Sequence, residues 1–272
     1  MKIHFTKMTG AGNDFVLVDN RDGRHRFRPE QIARLCNRHF GIGADGMLVA
    51  ETDGKPDRIR MRYYNSDGSE ASLCGNGARC FARFLQSRME AQSPGRLSFV
   101  TGAGLVEAAF SEEEVSISMP DPGEARLRQL VSTRHGPLEV HWIHTGVPHL
   151  VVFVQKLERI DVEEFGRELR WLPDFAPEGA NVNFVGLLGP DRISVRTYER
   201  GVEAETLACG TGVTASALAA NLVKGSSSPV SVEVRSGDRL RVGFERTGDR
   251  FHGVRLQGPA LTVFTGEMEV EE

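Results

Sequence analysis

Two short stretches place a reactive side chain in the same setting: Leu73-Cys74-Gly75-Asn76-Gly77-Ala78-Arg79 and Ala208-Cys209-Gly210-Thr211-Gly212-Val213. In each, a cysteine precedes Gly-x-Gly and a run that reads as a helix. Glycine has no Cβ, so the backbone can turn tightly and approach a ligand closely. The helix that follows leaves its first N–H groups without intrahelical acceptors, and with the helix dipole they make a seat for an anion beside the sulfur. A thiol at a helix N-terminus also has a lowered pKa, so part of it is thiolate near neutrality. One turn therefore offers a base and a carboxylate cradle. Two such turns facing each other would hold a small carboxylate between both helix ends, with one sulfur on each side.

The elements that must position these turns recur as well. The first half reads as a strand over 3–8, the turn Thr9-Gly10-Ala11-Gly12-Asn13-Asp14, a strand over 15–19 and a helix over 29–38 that opens on Pro29. A strand over 59–64 delivers Asn65-Ser66-Asp67-Gly68-Ser69. After Cys74, residues Ala78, Phe81, Ala82 and Leu85 fall on one helical face, with Arg79 and Arg83 off it. Short alternating segments follow at 97–100, 104–110 and 115–119. In the second half, Gly146-Val147-Pro148-His149 and a strand over 150–154 echo Gly12-Asn13-Asp14 and its strand. A strand over 193–198 then delivers Glu199-Arg200-Gly201. Cys74 follows Asn65 by nine residues and Cys209 follows Arg200 by nine, and a glutamate stands four before each cysteine, Glu70 and Glu205. Residues 213–223 are small and apolar nearly all round, which predicts a fully buried helix. Strands over 230–234, 239–244, 251–256 and 261–264 complete the chain.

This pattern reads as a duplication with divergence. The expected fold is α+β, with two pseudo-symmetric domains whose equivalent cysteine turns meet at a central cleft. Pro120-Asp121-Pro122-Gly123 marks the boundary, and Gly258-Pro259 lets the last strand cross back. The domains are then 1–119 plus 261–272, and 120–260.

Composition limits the function classes. The chain has 272 residues, 40% hydrophobic and 26% charged, as a soluble globular protein does, and its net charge of −4 gives no reason to expect nucleic acid or an anionic membrane as partner. No apolar run is long enough to span a bilayer, Met1-Lys2-Ile3-His4-Phe5 does not read as a signal peptide, and the cytoplasm is the expected location. Four cysteines without a Cys-x-x-Cys pair suggest reduced thiols, with Cys36 and Cys80 structural, and no histidine pattern suits a metal. Gly41-Ile42-Gly43-Ala44-Asp45-Gly46 matches Gly-x-Gly-x-x-Gly, but it follows a helix and runs into a strand, the reverse of a dinucleotide fingerprint.

Lys7-Met8-x-Gly10-x-Gly12-Asn13-Asp14-Phe15, Tyr64-Asn65-x-Asp67-Gly68-Ser69, Cys74-Gly75-Asn76-Gly77, Gly146-x-Pro148-His149, Asn181-Val182-x-Phe184, Glu199-Arg200-Gly201 and Ala208-Cys209-Gly210-Thr211-Gly212 together resemble the motifs of diaminopimelate epimerases, in the family's order and over nearly the whole chain. The resemblance implies a cofactor-independent enzyme of lysine and peptidoglycan precursor synthesis that interconverts LL- and meso-diaminopimelate. It implies a homodimer, with each domain a β-barrel-like sheet wrapped around a central helix. By resemblance Cys74 and Cys209 are the acid and base, and His149 and Glu199 tune the thiols. Asn13, Asn65, Asn183, Glu199 and Arg200 would hold the carboxylate and ammonium groups of the substrate. Many members have Gln in place of Gly46 and Asn in place of Val147, so two amides that could touch substrate are missing here.

The chemistry agrees with these roles. Inverting an α-carbon needs one group to take a proton from one face and another to supply one to the opposite face. Without pyridoxal phosphate, the carbanion's charge must spread into the carboxylate, where the N–H groups of Gly75, Asn76, Gly210 and Thr211 would meet it. Competing readings are a racemase of another amino acid on the same two cysteines, and a nucleotide-binding protein using the Cys209 turn. Ten residues separate that turn from the strand ending at Tyr198, where a dinucleotide fold has an immediate junction. A pyridoxal enzyme is disfavoured because Lys7 is the one lysine in a motif.

Overall fold

The computed structural model describes residues 1–54, 58–89 and 95–271. Its first unit opens as a hairpin. Strands β1 (Lys2–Gly10) and β2 (Asn13–Asp19) pair antiparallel across Ala11-Gly12, both at positive φ (56° and 89°), where glycine is the residue that turns without strain. Helix α1 (Pro29–Cys36) begins on its proline, and the Gln31 side chain accepts the Arg28 N–H at 2.9 Å. It carries the chain over so that β3 (Gly46–Thr52) runs parallel to β2. Strand β4 (Ile59–Asn65) pairs antiparallel with β3, and β5 (Glu70–Ala71) pairs with the end of β4. Helix α2 (Gly75–Gln86) leaves the sheet, β6 (Arg96–Thr101) returns parallel to β4, and β7 (Gly104–Phe110) and β8 (Glu114–Ser118) extend it as a meander.

The second unit repeats this order. Strands β9 (Ala125–Thr133) and β10 (Gly136–His144) pair antiparallel, as do β10 and β11 (Pro148–Phe153). Helix α3 (Val162–Arg170), capped by the Asp161 carboxylate accepting the Glu164 N–H at 2.9 Å, brings β12 (Asn181–Gly189) parallel to β11. Strands β13 (Arg192–Glu199) and β14 (Ala204–Thr206) lead to α4 (Gly210–Lys224), which stops at Gly225 in the left-handed conformation. Strand β15 (Val230–Val234) is parallel to β13, and β16 (Arg239–Thr247) and β17 (Arg250–Pro259) follow. The last strand, β18 (Leu261–Glu269), pairs with β1 from Lys2↔Glu269 to Thr9↔Leu261, so it holds in the first unit the place that β9 holds in the second. By contacts the units are Met1–Ser118 with Gly258–Glu272, and Met119–Gln257.

Each sheet is covered on both faces. In the first unit α1 packs Ile32 and Leu35 against Val16, Val18, Met47 and Val49, while α2 lies against β1, β2, β4 and β8. Those strands stand far apart in the pairing order, so the sheet curls around the helix. In the second unit α3 packs on one face and α4 touches β10, β11, β12, β13, β15 and β16. Strands buried on both faces lose the alternating pattern, which is why 15–18 and 46–50 are buried without a break. The full burial expected over 213–223 is observed from Val213 through Ala220, whereas Asn221, Leu222 and Val223 at the end of α4 are half-buried. Helix α2 departs from the one-sided face read from its sequence: Arg79 is 0% exposed. A helix inside a curled sheet has no solvent face, and Arg79 is retained there by hydrogen bonds to Asn76 Oδ1 at 2.9 Å and to the carbonyls of Gly75 and Pro259 at 3.4 Å. Among the described residues no helix is long and apolar enough to cross a membrane.

Leu218, 0% exposed on α4, measures how far the second unit depends on its central helix. Leu218→Ala should cost about 2–5 kcal/mol of unfolding free energy, read from urea melts followed by circular dichroism.

Candidate active site

Both cysteines are helix N-caps with extended backbone, Cys74 at φ −129° and ψ 120°, Cys209 at φ −116° and ψ 111°. The Cys74 carbonyl accepts the Ala78 N–H at 2.7 Å and the Cys209 carbonyl the Val213 N–H at 2.8 Å, the first bonds of α2 and α4. The N–H groups of Gly75, Asn76, Gly210 and Thr211 lie in the first turn, ahead of the first residue that has an intrahelical acceptor. Gly77 N–H donates to Cys74 Sγ at 3.5 Å, and Cys209 Sγ lies 3.5 Å from Thr211 Oγ1. Burial pushes the thiols of Cys36 and Cys80 up to about 12, which keeps both protonated and unreactive.

In the first unit a hydrogen-bonded chain joins two of the expected site residues. Arg79 donates to Asn76 Oδ1, Asn76 Nδ2 donates to Asn13 Oδ1 at 2.6 Å, and Asn13 Nδ2 donates to Asp45 Oδ2 at 3.0 Å. Arg38 binds Asp45 Oδ1 at 2.8 Å and grips both oxygens of Asp14, at 2.8 and 2.9 Å. Lys7, 5% exposed, pairs with Asp14 at 2.7 Å and donates to the Gly43 carbonyl. A cation at one end and a carboxylate at the other thus dictate which way each amide points. Burial alone would raise Asp14, but hydrogen bonds from Arg38 and Lys7 and the attraction of their charges bring it down to about 2. Asn65 stands apart from this chain, its Nδ2 donating to Ser69 Oγ at 3.0 Å.

In the second unit His149 is fully buried on β11, with Nδ1 at 3.1 Å from Asn183 Nδ2 on β12. Asn183 is also fully buried, and Thr197 Oγ1 donates to its Oδ1 at 3.0 Å. Glu199 ends β13, and the Arg200 N–H donates to Asn181 Oδ1 at 2.8 Å, while Asn181 Nδ2 donates to the Pro148 carbonyl at 3.2 Å. The Arg200 guanidinium is 3.6 Å from Glu178. The sequence reading passed over Asn181, although it opens a quoted motif, and over Asp45, Arg79 and Thr197. Arg79 stands inside the first cysteine motif itself.

The ladders correct one alignment of the two halves. Equal spacing to the cysteines matches Asn65 with Arg200, yet Tyr64 faces Glu70 and Tyr198 faces Glu205. Arg62 grips Glu70 at 3.0 and 2.7 Å, and Arg196 grips Glu205 at 2.7 and 2.8 Å. Glu199 is therefore the counterpart of Asn65, and the second loop is one residue longer. The two glutamates that stand four before each cysteine thus take the same part, each held by an arginine of the neighbouring strand.

The glycines of the turns also differ in role. A Cβ on Gly77 would meet Leu48, Phe15 and Cys74 at 3.4–3.5 Å, ordinary contact, whereas one on Gly212 would lie 2.2 Å from Asn183 Oδ1. At Gly46, a Cβ would fall 2.5 Å from the Tyr64 carbonyl oxygen and 2.9 Å from the Tyr63 ring, so this backbone has no room for a glutamine. The Gly-x-Gly-x-x-Gly run lies between α1 and β3, as its order in the sequence requires of a segment that is no dinucleotide turn.

The sequence model of the family described as diaminopimelate epimerase matches residues 5–127 and 141–251. This chain belongs to the diaminopimelate epimerase family. Curated diaminopimelate epimerases resemble it end to end: that of Chlorobaculum tepidum is 41% identical over 264 residues, covering 95% of this chain and 98% of the relative. That of Archaeoglobus fulgidus is 41% identical over 287 residues, covering 100% and 98%. Solved structures share the fold at lower identity. A PhzF-family phenazine biosynthesis protein from Bacillus anthracis has a TM-score of 0.75 at 16% identity, covering 99% of this chain and 100% of that one. A probable proline racemase from Agrobacterium radiobacter has 0.72 at 16%, covering 99% and 93%. Diaminopimelate epimerases are isomerases, and the paired helix-capping cysteines belong to the motifs by which the chain resembles them.

Two outcomes test this geometry. Gly77→Ala should leave the melting temperature at or above the parent's, since alanine favours the helix, whereas Gly212→Ala should cost about 1–3 kcal/mol by displacing Asn183. Because Asp14 is depressed in the folded state, its contribution is present above its ordinary value of 3.8 and is lost as pH falls toward about 2. Urea melts of the parent and Asp14→Asn should differ by about 2 kcal/mol at neutral pH and converge below that window.

Proposed function

We propose that the chain interconverts LL- and meso-diaminopimelate without a cofactor, by moving one α-proton between two sulfurs, with Cys74 on one face of the carbon and Cys209 on the other. The observation that carries this reading is that a cysteine caps the central helix in each of two units sharing one strand order. The name of the curated relatives supports the substrate. One sulfur must be thiolate and the other thiol, exchanging roles with direction. The Gly77 N–H on Cys74 Sγ favours the charged form of that sulfur. First-turn N–H groups of Gly75, Asn76, Gly210 and Thr211 stabilise the charge that the carbanion spreads into its carboxylate. Asn13, Asn65, Glu199 and Arg200 hold the polar ends of the substrate, with Arg200 suited to a carboxylate by its planar fork. Glu199 and His149 tune the thiols. A homodimer serving lysine and peptidoglycan precursor synthesis in the cytoplasm completes the reading, on the strength of the family resemblance.

Incubating the reduced protein with LL-diaminopimelate in D2O tests it. The expected result is loss of the α-proton signal with deuterium in the meso product, and a fall of about 10²–10⁴ in rate for Cys74→Ala and for Cys209→Ala. Folded protein that exchanges nothing would refute the substrate assignment and turn attention to another amino acid.

A further inference from the structure

Three neighbouring positions of the first unit are filled by Phe15 on β2, Leu48 on β3 and Tyr63 on β4, with Leu17↔Leu48 and Leu48↔Tyr63 in register. The rings of Phe15 and Tyr63 meet edge to face with centroids 6.3 Å apart, and Phe15 and Leu48 close on Gly77. In the second unit the register Val151↔Asn183 and Asn183↔Thr197 puts His149, Asn183 and Thr197 at the matching places. All three are buried, yet all three are polar. A scaffold that packs Phe, Leu and Tyr at these places does not need a hydrogen-bonded trio in order to fold. Buried polar groups cost stability unless every bond is made, so the trio answers to another demand.

Donor and acceptor rules fix its polarity. The Leu150 carbonyl can only accept, so Asn183 Nδ2 faces it at 3.0 Å and Oδ1 takes the Thr197 hydroxyl. The second hydrogen of Nδ2 is directed to His149 Nδ1, which must therefore accept. A neutral imidazole that accepts at Nδ1 carries its proton on Nε2. Among the described residues, buried Nε2 has no hydrogen-bond partner. We propose that Asn183 and Thr197 are positioning residues that hold His149 as a neutral ring with its proton on Nε2, a donor kept for the reacting groups, and that Asn183 does not itself bind substrate. The use made of this donor rests on the epimerase reading above; the tautomer does not.

Other features agree. Burial, with Arg200 and His144 as the cationic or titratable groups repelling a second proton, lowers His149 to about 3. Protonation would also set a hydrogen on Nδ1 against the Asn183 N–H. The lack of a Cβ at Gly212 admits the Asn183 amide beside the first turn of α4, next to Cys209. His149 thus tunes its surroundings through one directed N–H, not through a positive charge.

Long-range proton–nitrogen correlation spectra of His149 in the intact enzyme test the tautomer directly. The expected result is a bare Nδ1 and a protonated Nε2, unchanged from about pH 5 to 8. A protonated Nδ1, or a ring titrating in that range, would overturn the proposal. Asn183→Asp replaces the donor by an acceptor and should move the proton to Nδ1 and make the ring titrate. Asn183→Leu supplies the residue type found at this place in the first unit, so packing is preserved while the donor is lost. Both should lower kcat about tenfold or more, the worth of one hydrogen bond, with KM within about twofold. A raised KM with kcat kept and the tautomer unchanged in Asn183→Leu would mean that Asn183 binds substrate, and would overturn the proposal. The Nε2-protonated ring in an enzyme that exchanges no α-proton would instead sink the epimerase reading alone.

Discussion

A helix enclosed by a sheet can meet solvent or ligand only at its ends, and this constraint governs both units. Its interior must satisfy every polar group internally, whereas its first turn retains N–H groups that nothing within the helix can accept. The residue before that turn is therefore a place where a side chain joined to the core can still be reached by a ligand. Cys74 and Cys209 occupy it, each with extended backbone and with the following helix buried. Packing sets where each sulfur stands: the curled sheet holds the helix, and the helix N-cap backbone places the cysteine.

The two units meet this constraint with different materials. In the first, charge does the positioning. Lys7, Asp14, Arg38, Asp45 and Arg79 form a run of alternating ions that sets the direction of the Asn13 and Asn76 amides. Buried Arg79 is tolerable because its hydrogen bonds go to an amide and to helix and strand carbonyls, which have lone pairs to spare. In the second, neutral groups do the same work. Thr197, Asn183 and His149 lie behind the Cys209 turn, and α4 contributes almost nothing but small apolar residues. Two units with one strand order are thus held, at these places, by ion pairs in the first and by amide geometry in the second.

Much of this was legible in the chain because it depends on local pattern. Unbroken apolar runs at 15–18 and 46–50 announce strands covered on both faces, and Cys-Gly-x-Gly announces a capped helix wherever it stands. What depends on partners distant in sequence was not. Arg79 reads as a surface residue by charge alone, and only the curled sheet reveals that the helix has no surface. Asn183 reads as one member of a motif; its bonds to His149 and Thr197 join residues 34 and 14 positions away. Counting residues back from each cysteine misaligned Asn65 with Arg200, because loop length drifts while a strand ladder does not. One omission had a local signal: Asp161 before Val162, Phe165 and Leu169 marks α3, with its cap and its apolar face.

The pairing of β18 with β1 sets an order in time. The second unit is one continuous segment, and its last strand emerges before residue 260 is made. The first unit lacks β18 until residues 261–269 are synthesised, since Lys2 to Thr9 find their partners only there. Until then β1 presents an unpaired edge, the kind of edge that recruits other strands. Of the two units, the one whose strands begin first is the one whose sheet closes last.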